Sequence, residues 1–430
     1  MVRQKTTQTE EQPPLVAIDL GSSSIRAMAA QRIAPDMLRI LGVEKNTKKA
    51  CIDRGAVVQS TNAGYMISEA LRLLANRIGV DRLQQAFVLT GGRSMQTVSV
   101  MSKRDLVREH EITQALLNEL KDECKNNIER CNPQVAVMDL LPTYYVLDKK
   151  EQDEMPLPPQ RATLIEVHYT AFVCRKEYLQ KVHDSFDRAG KDEEACFVRP
   201  DALLSALSAE DSDFLTQGCA VLDLGAQTTT LCIYKGCQYL ATKVVPLGSW
   251  HITRLIEQEG MDIRYAETMK CKYGCAMPEL VETDLTMNVP SVLNPGEKIK
   301  ITTKELAATI QSKLDEIMAP LTEVLAPFEE RIKTLFITGG GSKLNGMVEY
   351  ISSKTSLEVM YGSHACLLAP DTPDEYYSPE YSALIGALIL GSDYREMHKD
   401  EDAPPRSKNF WEKVKNKFEN QTMILFTDQK

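Results

Sequence analysis

One short pattern occurs twice in this chain, and it restricts the available folds more than any other feature. An apolar run, Val16-Ala-Ile, ends in Asp19-Leu-Gly21-Ser22-Ser23-Ser24, and 204 residues later Ala220-Val-Leu ends in Asp223-Leu-Gly225-Ala226-Gln227-Thr228-Thr229. After each polar stretch apolar residues return at alternate positions (Ile25, Ala27, Ala29; Leu231, Ile233), which is how a strand, a tight turn and a returning strand are written. A second pair agrees with the first. Phe87-Val-Leu-Thr90-Gly91-Gly92 is echoed by Phe336-Ile-Thr338-Gly339-Gly340-Gly341 at an offset of 248, so the second half carries about 44 more residues between its two signals. The pattern predicts a duplicated fold whose two hairpin turns face each other across a gap of phosphate size. Glycine lets backbone N–H groups approach an anion, hydroxyls donate further hydrogen bonds, and a strand-end aspartate can hold the waters of a hard cation such as Mg²⁺. The chain reads as nucleotide-binding.

Composition narrows the class. A chain of 430 residues that is 43% hydrophobic can bury a large core, and is more simply two lobes than one. A net charge of −10 argues against nucleic acid as a general partner. Eleven cysteines lack paired spacing and the first 14 residues contain no apolar leader, so a reducing cytoplasm is expected. Cys271 and Cys275 lie four apart without a second pair of metal-ligand spacing, which favours buried thiols over a zinc site. No run reaches the ~18 apolar residues of a membrane-spanning helix.

The paired turns, the later Ile337-Thr-Gly-Gly-Gly-Ser342 turn and Ala266-Glu267-x-x-Lys270 between them resemble the actin, Hsp70 and sugar-kinase superfamily. Within it, Val245-Pro-Leu-Gly248-Ser-Trp-His251-Ile-Thr253, the stretch from Ala266 to Ala276 and the amphipathic end resemble the FtsA family of bacterial cell-division proteins. The resemblance implies an α/β, two-lobed, actin-like (ribonuclease-H-like) duplicated fold with a small inserted subdomain and a C-terminal amphipathic helix. The corresponding map is a disordered tail over 1–14, a first lobe from 15–90 and 161–216, and the inserted subdomain over 91–160. It continues with a second lobe over 217–391 carrying an insertion at about 260–332, a flexible linker over 392–408 and a membrane-targeting helix over 409–426. The apolar period Ile67, Leu71, Leu74, Ile78 predicts a helix over 67–78.

For the site, the resemblance implies Mg·ATP. Asp19, Gly21, Ser22, Ser23 and Ser24 would form one phosphate turn, with Arg26 as a nearby cation, and Asp223, Gly225, Thr228 and Thr229 the other. Asp19 and Asp223 would hold Mg²⁺ through water, Glu267 and Lys270 would reach the ribose, and Gly339, Gly340 and Gly341 would lie against the adenosine part. Two departures bear on hydrolysis. Ala226 and Gln227 stand where the family has glycines, and Arg199-Pro200 stands where relatives have a Glu-Pro pair. Arginine stays protonated and cannot serve as a base, and Asp201 is the remaining candidate, so slow or absent turnover is expected.

The tail carries the other signal. On a helical projection Phe410, Trp411, Val414, Phe418 and Leu425 share one stripe, and Lys415 and Lys417 flank it. Residues 406–420 carry a local charge of +3 on a chain of −10, the composition of a helix lying in an anionic membrane surface. With the resemblance, the tail implies a peripheral protein on the cytoplasmic side of the inner membrane at the septum. By that resemblance its partners would be an FtsZ-type tubulin-like filament, further copies of itself in a head-to-tail polymer, and other divisome proteins. Two alternatives stay open from the sequence: a pilus-type actin-like assembly ATPase, which genomic neighbourhood would separate, and a small-molecule kinase, which a phosphotransfer assay would separate.

Overall fold

The computed structural model describes residues 13–47, 51–92, 95–152, 155–156, 158–207, 214, 217–235 and 238–397. The first repeat opens with β1 (Leu15–Leu20), buried along its whole length. β2 (Ile25–Ala34) returns antiparallel and β3 (Met37–Asn46) extends the meander. A small hairpin of β4 (Ile52–Asp53) and β5 (Ala56–Val57) leads into α1 (Ser60–Ile78). This helix starts before the predicted 67, because Ala63 and Met66 already face the core. β6 (Gln85–Thr90) then lies parallel to β1.

Four strands follow in a separate antiparallel sheet: β7 (Gln96–Glu111), β8 (Val135–Leu147), β9 (Lys150–Gln152) and β10 (Arg161–Arg175), in the order β7-β10-β8-β9. They share a core with α2 (Gln114–Cys131), in which Leu117, Leu120, Ile165 and Val167 are buried. The boundary expected at 160 is therefore too early. β10 pairs with β7 on one side and β8 on the other, so the inserted sheet runs to Arg175. The chain then returns through α3 (Lys176–Ala189), β11 (Asp192–Val198) and α4 (Arg199–Leu207), giving a first sheet in the order β11-β6-β1-β2-β3.

The second repeat has the same plan. β12 (Cys219–Leu224), β13 (Thr229–Lys235) and β14 (Gln238–Val245) form the meander, and β17 and β18 (Thr334–Thr338, Glu358–Tyr361) add in parallel, in the order β14-β13-β12-β17-β18. Between meander and parallel strands lie α5 (Ser249–Glu257), α6 (Ile263–Tyr273), a hairpin of β15 (Thr286–Pro290) and β16 (Lys298–Thr302), and α7 (Thr303–Leu325). Although α7 falls inside the insertion expected at 260–332, it is a core helix: Leu306, Ile310, Leu314 and Ile317 are buried with the apolar residues of β12 and β13. A capping box between Thr302 and Glu305 starts it.

Register makes the duplication quantitative. Leu20 pairs with Ile25 and Leu224 with Thr229, so both turns span four residues, Gly21 to Ser24 and Gly225 to Thr228. On the parallel side Ala17 faces Phe87 and Val221 faces Phe336, an offset of 249 rather than 248. Matching Thr-Gly-Gly by identity displaced the alignment by one, and Thr90 corresponds to Gly339.

After α8 (Met347–Ser352), the chain ends its described part in α9 (Ser382–Met397). α4 and α9 lie between the two sheets, packing Ala202, Leu203, Leu384 and Leu388 against residues of both. At their crossing a Cβ on Gly386 would strike the Ala202 backbone, so only glycine permits this approach. Residues 392–397, expected in the linker, belong to α9 instead, and Arg395 pairs with Glu194 at 2.6 Å and lies over the Phe87 ring. Arg395 also donates to the carbonyl oxygens of Pro13 and Pro14, at the end of the tail expected over 1–14.

The inserted sheet meets α4 through acids. Asp201 is buried beside Asp139 on β8, which lies 3.6 Å from Lys121 of α2, and its Oδ1 has no hydrogen-bond partner. Burial, and then the Asp139 charge, push the Asp201 carboxyl well above its ordinary range. The native state therefore holds a proton that the unfolded chain releases near pH 3.9, and this contribution to stability falls as pH rises above that value. Asp201→Asn should remove that pH dependence and stabilise the protein by about 1–3 kcal/mol at the upper end of the range. Thermal melts of both proteins from pH 5 to 8 should show an advantage that widens with pH; one that narrows contradicts the assignment.

Candidate functional site

A cleft of about 930 Å³ opens where the two turns meet. Asp19, Gly21, Ser22, Ser23 and Arg26 line it from one repeat, and Asp223, Gly225 and Thr228 from the other. Glu267, Lys270 and Gly339 to Gly341 close a third side. The turns are built alike: a Cβ on Gly21 would come 2.8 Å from the Ser24 carbonyl oxygen, and one on Gly225 equally close to that of Thr228. Two atoms at the first turn are buried without a hydrogen-bond partner, Ser24 Oγ and Arg26 Nε, and Arg26 lines the cleft, so its unpartnered donor is one that an anion there could complete. Thr229 and Ser24 do not line the cleft. The Thr229 hydroxyl donates instead to the Leu247 carbonyl at 2.9 Å, tying β13 to the start of α5.

The departures at 226 and 227 have structural work. The carbonyls of Gly225 and Ala226 accept from the N–H groups of Ser249 and Trp250, satisfying the first donors of α5. Gln227 Oε1 accepts from the Arg54 N–H at 2.7 Å, and Ser22 Oγ accepts from the Gly55 N–H at 2.9 Å. The β4–β5 turn thus clips both hairpin turns at once.

Arg199, at the junction of β11 and α4, sits between the strand-end aspartates. Its Nη2 donates to Asp19 Oδ1 and its Nη1 to Asp223 Oδ2 at 3.4 Å. Burial works against the guanidinium charge, but Asp19 and Asp223 more than offset it and raise its pKa further. Burial also pushes Asp223 up, against the lowering by Arg199. These carboxylates were expected to hold Mg²⁺ through water. The residues present do not fit that ion, because a fixed cation already occupies the space between them. Nearby, Arg26 is 3.9 Å from Asp19 and 2.8 Å from Glu380, which also pairs with Lys343 at 3.2 Å. Burial raises the Glu380 carboxyl, but Arg26 and Lys343 hold it below its ordinary value.

The Glu267/Lys270 pair divides its roles. Lys270 Nζ donates to Ser249 O, Thr253 Oγ1 and Glu267 Oε2 at 3.1, 2.8 and 2.8 Å, which uses all three of its hydrogens. Lys270 is buried, whereas the Glu267 side chain is 45% exposed. Burial raises the Glu267 carboxyl, yet Lys270 and Thr253 outweigh it and keep the group ionised. Glu267 is therefore the acceptor available to a ligand, and Lys270 positions it.

Sequence reasoning missed Glu380, Lys45 and Lys343, which have no motif, and saw Arg199 only as a missing acid. Asp201 does not line the cleft; it faces Asp139 instead. Phe410, Trp411, Val414, Lys415, Lys417 and Phe418 lie outside the described residues. Among the described residues no helix is long and apolar enough to cross a membrane.

Residues 220–386 match the family model described as cell division protein FtsA. The cell division protein FtsA of Pseudomonas aeruginosa is 24% identical over 88% of this chain and 89% of its own length. That of Escherichia coli (strain K12) is 21% identical over 90% and 92%. Among solved structures, a chain of the PilM-PilN type IV pilus biogenesis complex superposes with a TM-score of 0.64 at 17% identity, covering 88% of this chain and 98% of its own. MreB5 of Spiroplasma citri bound to ADP gives 0.53 at 12% identity, covering 91% and 100%. The structural likenesses establish the fold, which is actin-like.

Gly339 fixes how β17 approaches Asp223. Its backbone is at φ 84°, ψ 165°, a region essentially reserved for glycine, and a Cβ would land on Asp223 Oδ1. Gly339→Ala should lose about 3 kcal/mol or more in urea unfolding. Gly79→Ala, at φ 73° with open space around it, should lose only about 1 kcal/mol. Equal losses would contradict this account of the turn.

Proposed function

We propose that this chain, which is similar to the FtsA cell-division proteins, binds ATP and ties an FtsZ-type tubulin-like filament to the inner face of the cytoplasmic membrane at the septum. The similarity supports the cell-division role. The observation that carries the ATP part is the pair of matched turns facing one cleft, with Nε of the cleft-lining Arg26 buried and unpartnered beside them. Phosphates lie across both turns, and the ribose hydroxyls donate to Glu267. The adenosine end rests against Gly339 to Gly341, where no side chain keeps it away.

Turnover is slow in this reading. Arg199 stands where a proton acceptor would be needed and stays protonated, while Asp201 is held by Asp139 away from the cleft. The bound nucleotide acts by bridging both repeats and fixing their angle. A heterologous contact between unlike ends then extends into a filament, and the apolar stripe from Phe410 to Phe418 fastens that filament to anionic lipid.

Two measurements test this. Glu267→Ala should weaken ATP binding in calorimetry about tenfold, the worth of a hydrogen bond to a charged acceptor at about 1.5–3 kcal/mol, while hydrolysis by the unsubstituted chain stays well below the ~1–100 s⁻¹ of kinases. Unchanged affinity would remove Glu267 from the site. For the tail, Trp411→Glu should release most of the protein from anionic vesicles, since it gives up about 1.5–3 kcal/mol of apolar burial and adds an anion against an anionic surface. Co-flotation at the unsubstituted level would mean that the stripe packs on protein.

A further inference from the structure

Both strand-end aspartates are already joined by a cation that belongs to the chain. In the sequence expectation a hydrated Mg²⁺ would present water O–H donors to Asp19 and Asp223 from its outer shell. Arg199 presents Nη2–H and Nη1–H to oxygens of those same two groups. The guanidinium is planar and holds its donors in a rigid fork, so it can bridge two carboxylates without reorganising.

Its placement is fixed by regular structure. Arg199 opens α4 directly after β11, and the carbonyl of the next residue, Pro200, accepts from the buried Tyr234 hydroxyl at 3.1 Å. Gly91 leaves the space its side chain follows: a Cβ there would come 3.3 Å from Arg199 Cβ. With Arg26 on the far side of Asp19, the two carboxylates face two guanidinium groups, and a divalent ion added between them would meet like charge at close range.

We propose that Arg199 does the work of the divalent ion, and that the cleft takes a nucleoside polyphosphate free of metal. The proposal rests on the nucleotide reading of the cleft, and it makes that reading specific to the metal-free ligand. The remaining N–H groups of the fork, with Arg26 and the backbone of the two turns, then meet the phosphate oxygens directly.

The test uses the full chain, with ATP titrated calorimetrically in excess EDTA and again in Mg²⁺. Affinity in EDTA should be at least as high as in Mg²⁺, where most of the ATP is held as its metal complex, and a loss of about tenfold or more in EDTA would overturn the proposal. Arg199→Ala should bind ATP at least about tenfold more weakly in EDTA and recover on adding Mg²⁺, because two carboxylates are freed for the ion. Unchanged metal-free binding by this variant would also overturn it. If the variant does not fold, Arg199→Lys serves the same comparison, since a point charge cannot bridge both carboxylates and metal-free affinity should still fall. A second readout needs no nucleotide: Mg²⁺ alone should leave the melting temperature of the unsubstituted chain unchanged and raise that of Arg199→Ala. An Mg²⁺-induced rise in the unsubstituted chain would sink the proposal. Failure to bind ATP in either buffer would instead refute the nucleotide reading and, with it, the choice of ligand.

Discussion

The Arg199 fork is the interaction on which the rest of the cleft depends. Duplication brings two strands to the same gap, each ending in a carboxylate buried to a few per cent exposure, Asp19 at 4% and Asp223 at 6%. Two anions so placed raise each other's energy, and burial removes the water that would screen them. A cation between them is therefore a condition for this arrangement, and the chain supplies its own from the end of β11. Once Arg199 bridges them, the separation of the turns is set. The helices packed between the sheets, α4 and α9, then hold the repeats at that separation, and Arg199 belongs to the first of these helices.

The β4–β5 turn adds a second constraint on the same gap. Its Arg54 N–H reaches Gln227 in one repeat and its Gly55 N–H reaches Ser22 in the other, so a short hairpin of the first repeat holds both hairpin turns of the cleft. Gly55 sits at φ 76°, and a Cβ there would meet the backbone of Gly92, two residues past the end of the strand beside β1. Ala226 and Gln227 thus depart from the common glycines without dismantling the turn. One lends its carbonyl to α5, and the other uses its side chain as a tether between repeats.

Legibility in the sequence followed the range of the interactions. The two hairpins were readable because period-2 alternation and a glycine-hydroxyl turn are local signals, and the observed registers of Leu20 with Ile25 and Leu224 with Thr229 repeat them residue for residue. The parallel partner strands were found but misaligned by one, since identity of Thr-Gly-Gly outweighed the pairing of Phe87 and Phe336, which is visible only through hydrogen bonds to β1 and β12. The boundary at 160 failed for the same reason: nothing local in Arg161–Arg175 says that both its neighbours are β7 and β8. Lys270 looked like a ligand contact because its spacing from Glu267 is local, whereas its other partners, Ser249 and Thr253, lie on another helix. Arg199 was conspicuous only as an absent acid; its partners stand 180 and 24 residues away.

These interactions bear on what kind of device the cleft is. A hydrated metal ion arrives with a nucleotide and leaves with its products, so its charge is exchanged in every cycle. A guanidinium attached to α4 is present throughout, and it stabilises the closed spacing of Asp19 and Asp223 before and after any ligand binds. With the cation permanent, Gln227 spent on a tether and Asp201 outside the cleft, the arrangement suits the proposed role of holding a polyphosphate rather than cleaving it. For a protein whose proposed task is to set the angle between two repeats within a filament, occupancy alone supplies that angle, and hydrolysis adds nothing the geometry requires.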